Sequence, residues 1–312
     1  MPELHVGDRH WPVAAGSNLL DALNDAGLGV PYSCRAGSCH ACMVHCVRGE
    51  PLDGAPDALT PEQRRQGWRL ACQCRIVDDL SIEVFDPARD GLPASVVGSD
   101  WLSPAVLRLR LRPERPVRYH AGQHQVLWVE GSIARPYSLA SLPGADDFLE
   151  FHLDCARPGA FCDAARRLQP GDSVRLGELR AGALHYDPDW QDRPLLLLAA
   201  GTGLAPLWGV LREALRREHQ GPIRVMHLAA DRSEHYLAND LQALAGSYPQ
   251  LNVRLIVPDE LQTLSTDLRL LSRQTIALLC GSSHSVESFA RSLYLAGLPR
   301  HQVLADQFLA RA

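Results

Sequence analysis

Six of the nine cysteines in this 312-residue chain lie between Cys34 and Cys74, and this cluster constrains the fold more than any other feature. Three of them, in the string YSCRAGSCHAC, follow the spacing C-x4-C-x2-C: Cys34, Cys39 and Cys42. Zinc sites usually pair their cysteines as C-x2-C, whereas the uneven spacing here suits a loop wrapped around a two-iron cluster. Such a loop needs a fourth ligand from later in the chain.

Two cysteines are candidates for that fourth ligand. Cys72 and Cys74, in the string RLACQC, both follow Trp68, Arg69 and Leu70, so the spacing alone does not choose between them. If the segment is extended, residues two apart direct their side chains to the same face, and Cys74 competes with Cys72 for iron. A zinc site or a group of reduced thiols is the alternative interpretation of the whole cluster.

The segment resembles a plant-type [2Fe-2S] ferredoxin domain. The family's fourth ligand follows a Leu-x pair, as Cys72 follows Leu70-Ala71 here, and 29 residues separate Cys42 from Cys72. The resemblance therefore implies one set of cluster ligands: Cys34, Cys39, Cys42 and Cys72.

The flanking sequence agrees with an α+β ferredoxin (β-grasp) domain over residues 1–88. We expect an N-terminal hairpin, a helix over residues 19–26 capped by Ser17 or Asn18, and a strand over residues 80–85. Residues 86–93 then combine charge, two prolines and a glycine, which predicts a domain boundary.

Short alternating strands separated by turn residues follow this boundary and predict an antiparallel β-barrel over residues 93–188. The string RPYS within it resembles the R-x-Y-S signature of the ferredoxin-NADP reductase superfamily: Arg135, Pro136, Tyr137 and Ser138. The resemblance implies a flavin domain. Its arginine would bind a flavin phosphate, its tyrosine ring would lie against the isoalloxazine, and its serine hydroxyl would reach the N5 edge.

Two positions of the barrel depart from the family pattern. The second phosphate contact usually reads G-x-x-S, and here Gly159 is followed by Cys162 in place of the serine. The amide groups at a helix start can still bind phosphate. A later glycine-rich turn is replaced by the string GELR, which contains Glu178. We expect FAD from the domain order, with FMN as the alternative.

The string RPLLLLAAGTGLAP predicts a buried strand, a glycine turn and a helix, an arrangement that places a pyrophosphate on helix N–H groups. Four positions match the nicotinamide-binding turn of the same superfamily: Gly201, Thr202, Gly203 and Pro206. Further strands alternate with helical stretches, so we expect an α/β doubly wound parallel sheet over residues 193–312.

Two later motifs resemble the same superfamily. Cys280-Gly281, at a strand end, resembles the C-G pair beside the nicotinamide, and Asp306 and Phe308 take the places of Glu and Phe in the terminal E-x-F. The resemblance implies a catalytic set of three residues: Ser138, Cys280 and Asp306. Coenzyme choice depends on Asp231, which favours the free ribose of NADH, and on Arg232, which suits NADPH; we expect NADH.

All the net negative charge lies in the cysteine-bearing segment. Residues 1–90 hold 8 Arg against 13 Asp and Glu, whereas residues 91–312 hold 23 of each. An acidic module can dock on a basic protein surface, although a merely solvated acidic surface is an alternative interpretation. No basic stripe indicates nucleic acid, and no apolar run of about 18 residues indicates a membrane span, so we expect a cytoplasmic protein.

The order of the three modules resembles the ferredoxin-first reductase components of bacterial multicomponent oxygenases. The resemblance implies an NAD(P)H-dependent flavin oxidoreductase that passes electrons through a flavin to the cluster and on to an oxygenase or another protein acceptor. The alternatives are a non-catalytic electron carrier or redox sensor, and a stand-alone NAD(P)H:ferredoxin or quinone reductase.

Overall fold

The computed structural model describes residues 1–131, 133–260 and 272–309. Its N-terminal unit is a five-stranded mixed sheet with strand order β2-β1-β7-β3-β5, accompanied by the two-stranded ladder β4-β6. The strands are β1 (Glu3–Val6), β2 (Arg9–Pro12), β3 (Met43–Arg48), β4 (Leu52–Asp53), β5 (Trp68–Leu70), β6 (Cys74–Arg75) and β7 (Leu80–Val84). This is the predicted α+β architecture.

Helix α1 (Leu19–Asp25) packs on this sheet through three leucines that are fully buried: Leu19, Leu20 and Leu23. Asn18 caps the helix, because its side chain accepts a hydrogen bond from the Asp21 N–H. Helix α2 (Pro61–Arg65) starts at a capping box made by Thr60 and Gln63. The predicted hairpin and capped helix are confirmed, with the cap at Asn18.

The boundary segment contains a short helix that the sequence did not predict, α3 (Pro87–Asp90), which Asp86 caps through the Ala88 N–H. Strand β8 begins directly afterwards and opens a six-stranded antiparallel sheet with order β11-β10-β13-β8-β9-β12. These strands are β8 (Leu92–Trp101), β9 (Val106–Pro113), β10 (His124–Val129), β11 (Ile133–Ser138), β12 (Leu149–Asp154) and β13 (Ser173–Arg180).

The sheet curls until its two edge strands meet. An antiparallel bridge joins Leu139 to Phe151, and the Ala140 N–H donates to the Glu150 carbonyl at 2.8 Å. Because closure pairs the edges, the barrel needs no other cover for them. Helix α4 (Ala160–Ala165) packs on the barrel core through Phe161, Ala164 and Ala165.

The C-terminal unit is a fully parallel five-stranded sheet with order β16-β15-β14-β17-β18. Its strands are β14 (Leu195–Ala200), β15 (Ile223–Leu228), β16 (Leu251–Ile256), β17 (Ile276–Ser282) and β18 (Val303–Phe308), and its helices are α5 (Leu204–Arg216), α6 (Ala238–Ser247) and α7 (Ser283–Leu295). Helices α5 and α6 pack on one face and α7 on the other, so the predicted doubly wound fold is confirmed.

Contacts between the units are specific. The Phe85 and Trp128 rings stack between the first unit and the barrel, with centroids 5.1 Å apart. Arg212 of α5 makes a two-point ion pair with Asp146 of the barrel unit, at 2.7 and 2.8 Å. Within the described part of the chain, no helix is long and apolar enough to cross a membrane.

Candidate functional site

One cavity of about 740 Å³ is bordered by segments from all three units. The cysteine loop contributes Cys34 and Cys39, the barrel contributes Tyr137 and Ser138, and the C-terminal unit contributes Thr202 among others. Cavities shared between domains are where cofactors and small ligands usually bind. Parts of the cysteine loop, the R-P-Y-S string, the glycine turn and the C-terminal D-Q-F string therefore meet at one place. Other predicted site residues lie outside this lining, among them Gly159, Cys162, Asp231, Arg232, Cys280 and Gly281.

The four predicted cluster ligands form two pairs of thiols. Cys34 is hydrogen-bonded to Cys39, and Cys42 is hydrogen-bonded to Cys72. Within each pair, this bond lowers the pKa of one thiol, Cys34 or Cys72, and raises the pKa of its partner. Two thiols for each of two irons is the ligand count that a [2Fe-2S] cluster needs.

Polar hydrogens already point at these sulfurs. The N–H groups of Ala36 and Cys39 donate to Cys34 Sγ at 3.3 and 3.4 Å, and Gln73 Nε2 donates to Cys72 Sγ at 3.3 Å. Hydrogen bonds to sulfur offset the negative charge of cluster thiolates. The donor set of this loop therefore fits an iron-sulfur cluster.

Cys72 and Cys74 occupy different environments. Ala71–Gln73 form a 3₁₀ turn, so the segment is not extended through Cys72 as the same-face argument required. The Cys74 side chain is fully buried among the apolar residues of the N-terminal unit, and this burial raises its pKa. Cys72 is fixed beside the loop, because Asn18 Nδ2 donates to its carbonyl at 2.9 Å.

The R-P-Y-S segment forms the end of β11. Pro136, Tyr137 and Ser138 line the cavity. Burial raises the pKa of Tyr137 well above its ordinary value, and its ring packs against Phe161 with centroids 4.9 Å apart. Arg135 donates to the carbonyls of Tyr32 and Ala134, at 3.4 and 2.9 Å, so its guanidinium lies at the junction with the cysteine loop.

Gly159 and Cys162 lie at the start of α4, as predicted. The Gly159 N–H donates to the Asp163 carboxylate at 3.2 Å, and the Cys162 thiol donates to the Asp154 carbonyl at 3.2 Å. Glu178 of the departing GELR string accepts a hydrogen bond from Gln63 at 2.8 Å. This departure from the family pattern therefore contributes a contact between the N-terminal unit and the barrel.

The glycine turn lies directly after β14, and its approach to β17 requires a glycine. A Cβ on Gly203 would lie 2.2 Å from the Cys280 carbonyl oxygen, which no side chain tolerates. Thr202 and Ala205 face the cavity, and Pro206 is buried in the first turn of α5, where few N–H bonds are lost. His227 donates to the Gly201 carbonyl at 3.0 Å and steadies the turn.

Strands β17 and β18 bring the last two motifs together. Cys280 is aligned with Asp306, Gly281 with Gln307, and Ser282 with Phe308. Strand β17 runs on to Ser282, so Cys280 lies within the strand and not at its end. Burial raises the pKa of the Cys280 thiol, which keeps it neutral.

Asp306 connects the C-terminal unit to the barrel. Its Oδ1 accepts a hydrogen bond from the Ala183 N–H at 2.9 Å. A Cβ on Gly182 would lie 2.0 Å from Oδ2, so this glycine is what lets the carboxylate approach the loop. Both Asp306 and Phe308 line the cavity.

The N-terminal and C-terminal units each match a known domain family. Residues 5–77 match the family of 2Fe-2S iron-sulfur cluster binding domains, and residues 197–291 match the oxidoreductase NAD-binding domain family. The chain is 31% identical to reductase component 1 of terephthalate 1,2-dioxygenase from Comamonas, over 82% of this chain and 78% of that protein. It is 33% identical to the reductase subunit of an Amycolatopsis aromatic O-demethylase, over 82% of this chain and 80% of that one.

The chain belongs to the family of ferredoxin-NAD(P) reductase components of oxygenase systems. A crystal structure of an Amycolatopsis cytochrome P450 reductase superposes with a TM-score of 0.68 and 26% identity, covering 99% of both chains. As a member of this family, the chain is an NAD(P)H-dependent flavin oxidoreductase that carries electrons through a flavin to a [2Fe-2S] centre.

This reductase has cavity residues that the sequence interpretation missed. In the barrel sheet, His124 is aligned with Ser138 on one side and with Arg180 on the other, and all three line the cavity. Burial, followed by the Arg180 charge, lowers the pKa of His124. A lone histidine in a strand carries no spacing pattern, so the sequence alone did not single out His124.

The coenzyme positions lie beyond β15. The Asp231 carboxylate accepts hydrogen bonds from the Ser233 N–H and hydroxyl, which lower its pKa. Arg232 makes a 2.6 Å ion pair with Glu260, a residue that the sequence interpretation did not consider. Among the described residues, two carboxylates, Asp231 and Glu260, therefore lie at this edge. Arg232 is paired with Glu260, and the Val257 N–H together with the Arg232 and Arg254 charges lowers the pKa of Glu260.

We expect Cys72→Ala to abolish cluster assembly and Cys74→Ala to preserve it, because only Cys72 pairs with another loop thiol. Alanine cannot ligate iron and is tolerated in a core. Iron and acid-labile sulfide content, with visible absorption, would measure the outcome. A cluster retained by Cys72→Ala and lost by Cys74→Ala would contradict the assignment.

Proposed function

We propose that this reductase takes electrons from NADH, passes them through FAD to the [2Fe-2S] cluster and delivers them to an oxygenase component. One observation carries the proposal: the cavity bordered by the cluster loop, the barrel and the nicotinamide turn. When bound, the flavin converts two-electron into one-electron transfer, and the cluster provides a one-electron exit. The protein residues bind these groups and hold them adjacent.

The ligand roles follow from where the side chains lie. We assign cluster ligation to Cys34, Cys39, Cys42 and Cys72. The Tyr137 ring offers an apolar wall for the flavin ring and Ser138 offers a hydroxyl beside it. Arg135 lies next to this lining, where it donates to the Tyr32 and Ala134 carbonyls, and we assign it to a flavin phosphate from its place in the R-x-Y-S motif. Gly159 and Cys162 mark the second phosphate position in this assignment.

The nicotinamide assignment uses the C-terminal unit. Residues 201–203 and Pro206 form the coenzyme turn, whose approach to Cys280 depends on Gly203. We assign the place of the nicotinamide to the paired strands β17 and β18, beside Cys280, Gly281 and Phe308. Asp306 is the third member of the catalytic set, and its carboxylate is held by the Ala183 N–H. We also propose the domain ranges 1–88, 93–188 and 193–312, and a cytoplasmic location, which suits nine cysteines that form no disulfide in the structure.

Two electron acceptors separate the steps of this path. With NADH as donor, Cys72→Ala should still reduce ferricyanide, a small acceptor that reaches the flavin, but should lose most of its reduction of cytochrome c. The wild-type protein should reduce both. If Cys72→Ala reduced cytochrome c at the wild-type rate, the cluster would not be the exit. Cys74→Ala is the matched control.

The preference for NADH rests on charge at the coenzyme edge. Asp231 and Glu260 both hold negative charge there, and a 2′-phosphate would add more. Arg232 could offset that phosphate, but its guanidinium is held by Glu260, whose other oxygen accepts the Val257 N–H at 3.1 Å. Asp231 also suits the ribose hydroxyls of NADH.

Glu260→Gln should therefore raise the NADPH-to-NADH ratio of kcat/KM several-fold, because it removes a negative charge and releases Arg232. Steady-state ferricyanide reduction measures this ratio. Glu234→Gln is the control, since it removes a nearby carboxylate and leaves the Arg232 ion pair in place. An unchanged ratio in Glu260→Gln would refute this account of coenzyme choice.

The acceptor surface is a groove of about 750 Å³ between α1 and the N-terminal hairpin. Asp8, Asp21 and Asp25 supply its carboxylates, Arg9 supplies a cation, and Trp11 supplies its apolar surface. Asp21 is paired with Arg35 at 2.6 Å, so within the part of the chain that the structure describes, Asp8 and Asp25 carry the unpaired negative charge of the lining. Asn18 belongs to the same groove and donates to the Cys72 carbonyl, so the groove reaches the cluster loop. We propose that a positively charged surface of the oxygenase component docks here.

Neutralising this groove should slow electron delivery to a protein acceptor without affecting electron transfer from NADH to a small acceptor. With Asp8→Asn and Asp25→Asn together, cytochrome c reduction should fall several-fold at low ionic strength and less at high salt, because salt screens steering. Ferricyanide reduction should be unchanged. Asp240→Asn with Glu287→Gln, on the C-terminal unit, is the control; equal losses in both pairs would exclude the groove as the docking site.

A further inference from the structure

Two cysteines of the barrel unit, Cys155 and Cys162, lie side by side, and none of the cofactor assignments above uses them as a pair. Cys155 directly follows β12, and its side chain is only 1% exposed. Cys162 lies in α4, is half-buried and stands where the reductase superfamily has a serine. The two thiols are hydrogen-bonded to each other. Cys162 also donates to the Asp154 carbonyl at 3.2 Å, which fixes its sulfur beside the backbone that leads into Cys155.

The environment gives the two thiols different reactivity. Cys162 is half-buried and reaches solvent, whereas Cys155 is fully buried. The hydrogen bond from Cys155 lowers the pKa of Cys162 against the opposing effects of burial and the Asp154 charge, and the Arg166 guanidinium and Tyr137 hydroxyl also lower it. The bond to Cys162, together with burial, raises the pKa of Cys155. A thiol that ionises readily and reaches solvent, next to a second thiol, is the arrangement found at redox-active cysteine pairs.

We propose that Cys155 and Cys162 are a peroxide-oxidisable dithiol that closes to an intramolecular disulfide. The Cys162 thiolate attacks one oxygen of hydrogen peroxide, the O–O bond breaks, and the leaving hydroxide takes a proton to become water. The Cys155 thiol then attacks the sulfenic sulfur, the S–S bond forms, the S–O bond breaks, and a second water leaves. Two thiols are thus oxidised by two electrons, and one peroxide is reduced to two waters.

The pair lies directly behind the wall of the flavin cavity. Cys162 bonds to Tyr137 and to the Asp154 carbonyl, and both of these residues line the cavity. Disulfide formation removes the Cys162 thiol hydrogen, so the hydrogen bond to the Asp154 carbonyl is lost and a disulfide sulfur replaces the thiol beside Tyr137. Oxidation at this site therefore alters the surroundings of Tyr137, independently of whether the assigned electron path is correct.

Peptide mapping of the holoprotein tests the proposal directly. Trypsin does not cleave Arg135 before Pro136 or Arg157 before Pro158, so a single peptide, residues 119–166, holds both thiols and no other cysteine. After stoichiometric hydrogen peroxide and alkylation, we expect this peptide to lack both alkyl groups and two hydrogens, and dithiothreitol to restore alkylation. The peptide of residues 274–291 contains only Cys280 and is the internal control, because that thiol is buried and unpaired with another cysteine.

Single substitutions assign the two roles. In Cys155→Ser, Cys162 should be trapped as a sulfenic acid by dimedone, since no second thiol resolves it. In Cys162→Ser, Cys155 should stay fully alkylated after the same treatment. The proposal is wrong if the wild-type peptide keeps both thiols, or if Cys162 proceeds to a sulfinic acid while Cys155 remains free. Because the main test uses the unaltered protein, poor folding of a variant does not obscure it.

Discussion

The contact between the cysteine loop and the barrel is the constraint on which the rest of the site depends. Cys39 and Ala41 of the loop pack with Val126, Trp128 and Ala134 of the barrel in one buried apolar cluster. Apolar burial of this kind is non-directional, but the stacked Phe85 and Trp128 rings fix its orientation. Cys34 and Cys39 are thereby held at the cavity that Tyr137 and Ser138 also line.

A second close approach brings in the coenzyme side. Gly203 lies against the Cys280 backbone, and Asp306 reaches across to Ala183 because Gly182 has no side chain. The first contact joins two backbone segments, and the second joins a backbone segment to a carboxylate. Alanine in place of either glycine would disrupt the corresponding contact. Together with the loop contact, they let three separately built units share one cavity.

The local parts of this architecture could be predicted from sequence. The cysteine spacing, the Asn18 cap and the glycine turn each depend on residues close together in the chain, and their signals are correspondingly clear. The ligand choice between Cys72 and Cys74 needed family resemblance, because it depends on a 3₁₀ turn that spacing does not specify.

Non-local features left no such signal. The alignment of His124 with Ser138 and Arg180 is a matter of strand register, and the pairing of Arg232 with Glu260 joins residues 28 positions apart. The Cys155 and Cys162 contact depends on how the chain turns from β12 into α4. The sequence identifies each of these residues, but only the folded structure identifies the residue that it contacts.

The most direct test of the shared cavity is the rate at which NADH reduces the cluster. After rapid anaerobic mixing with excess NADH, the reduced cluster would be followed by its electron paramagnetic resonance signal over a wide range of protein concentration. If one chain holds all three sites together, the rate is independent of protein concentration. A rate that rises in proportion to protein concentration would show that electrons pass between molecules, and would contradict the account.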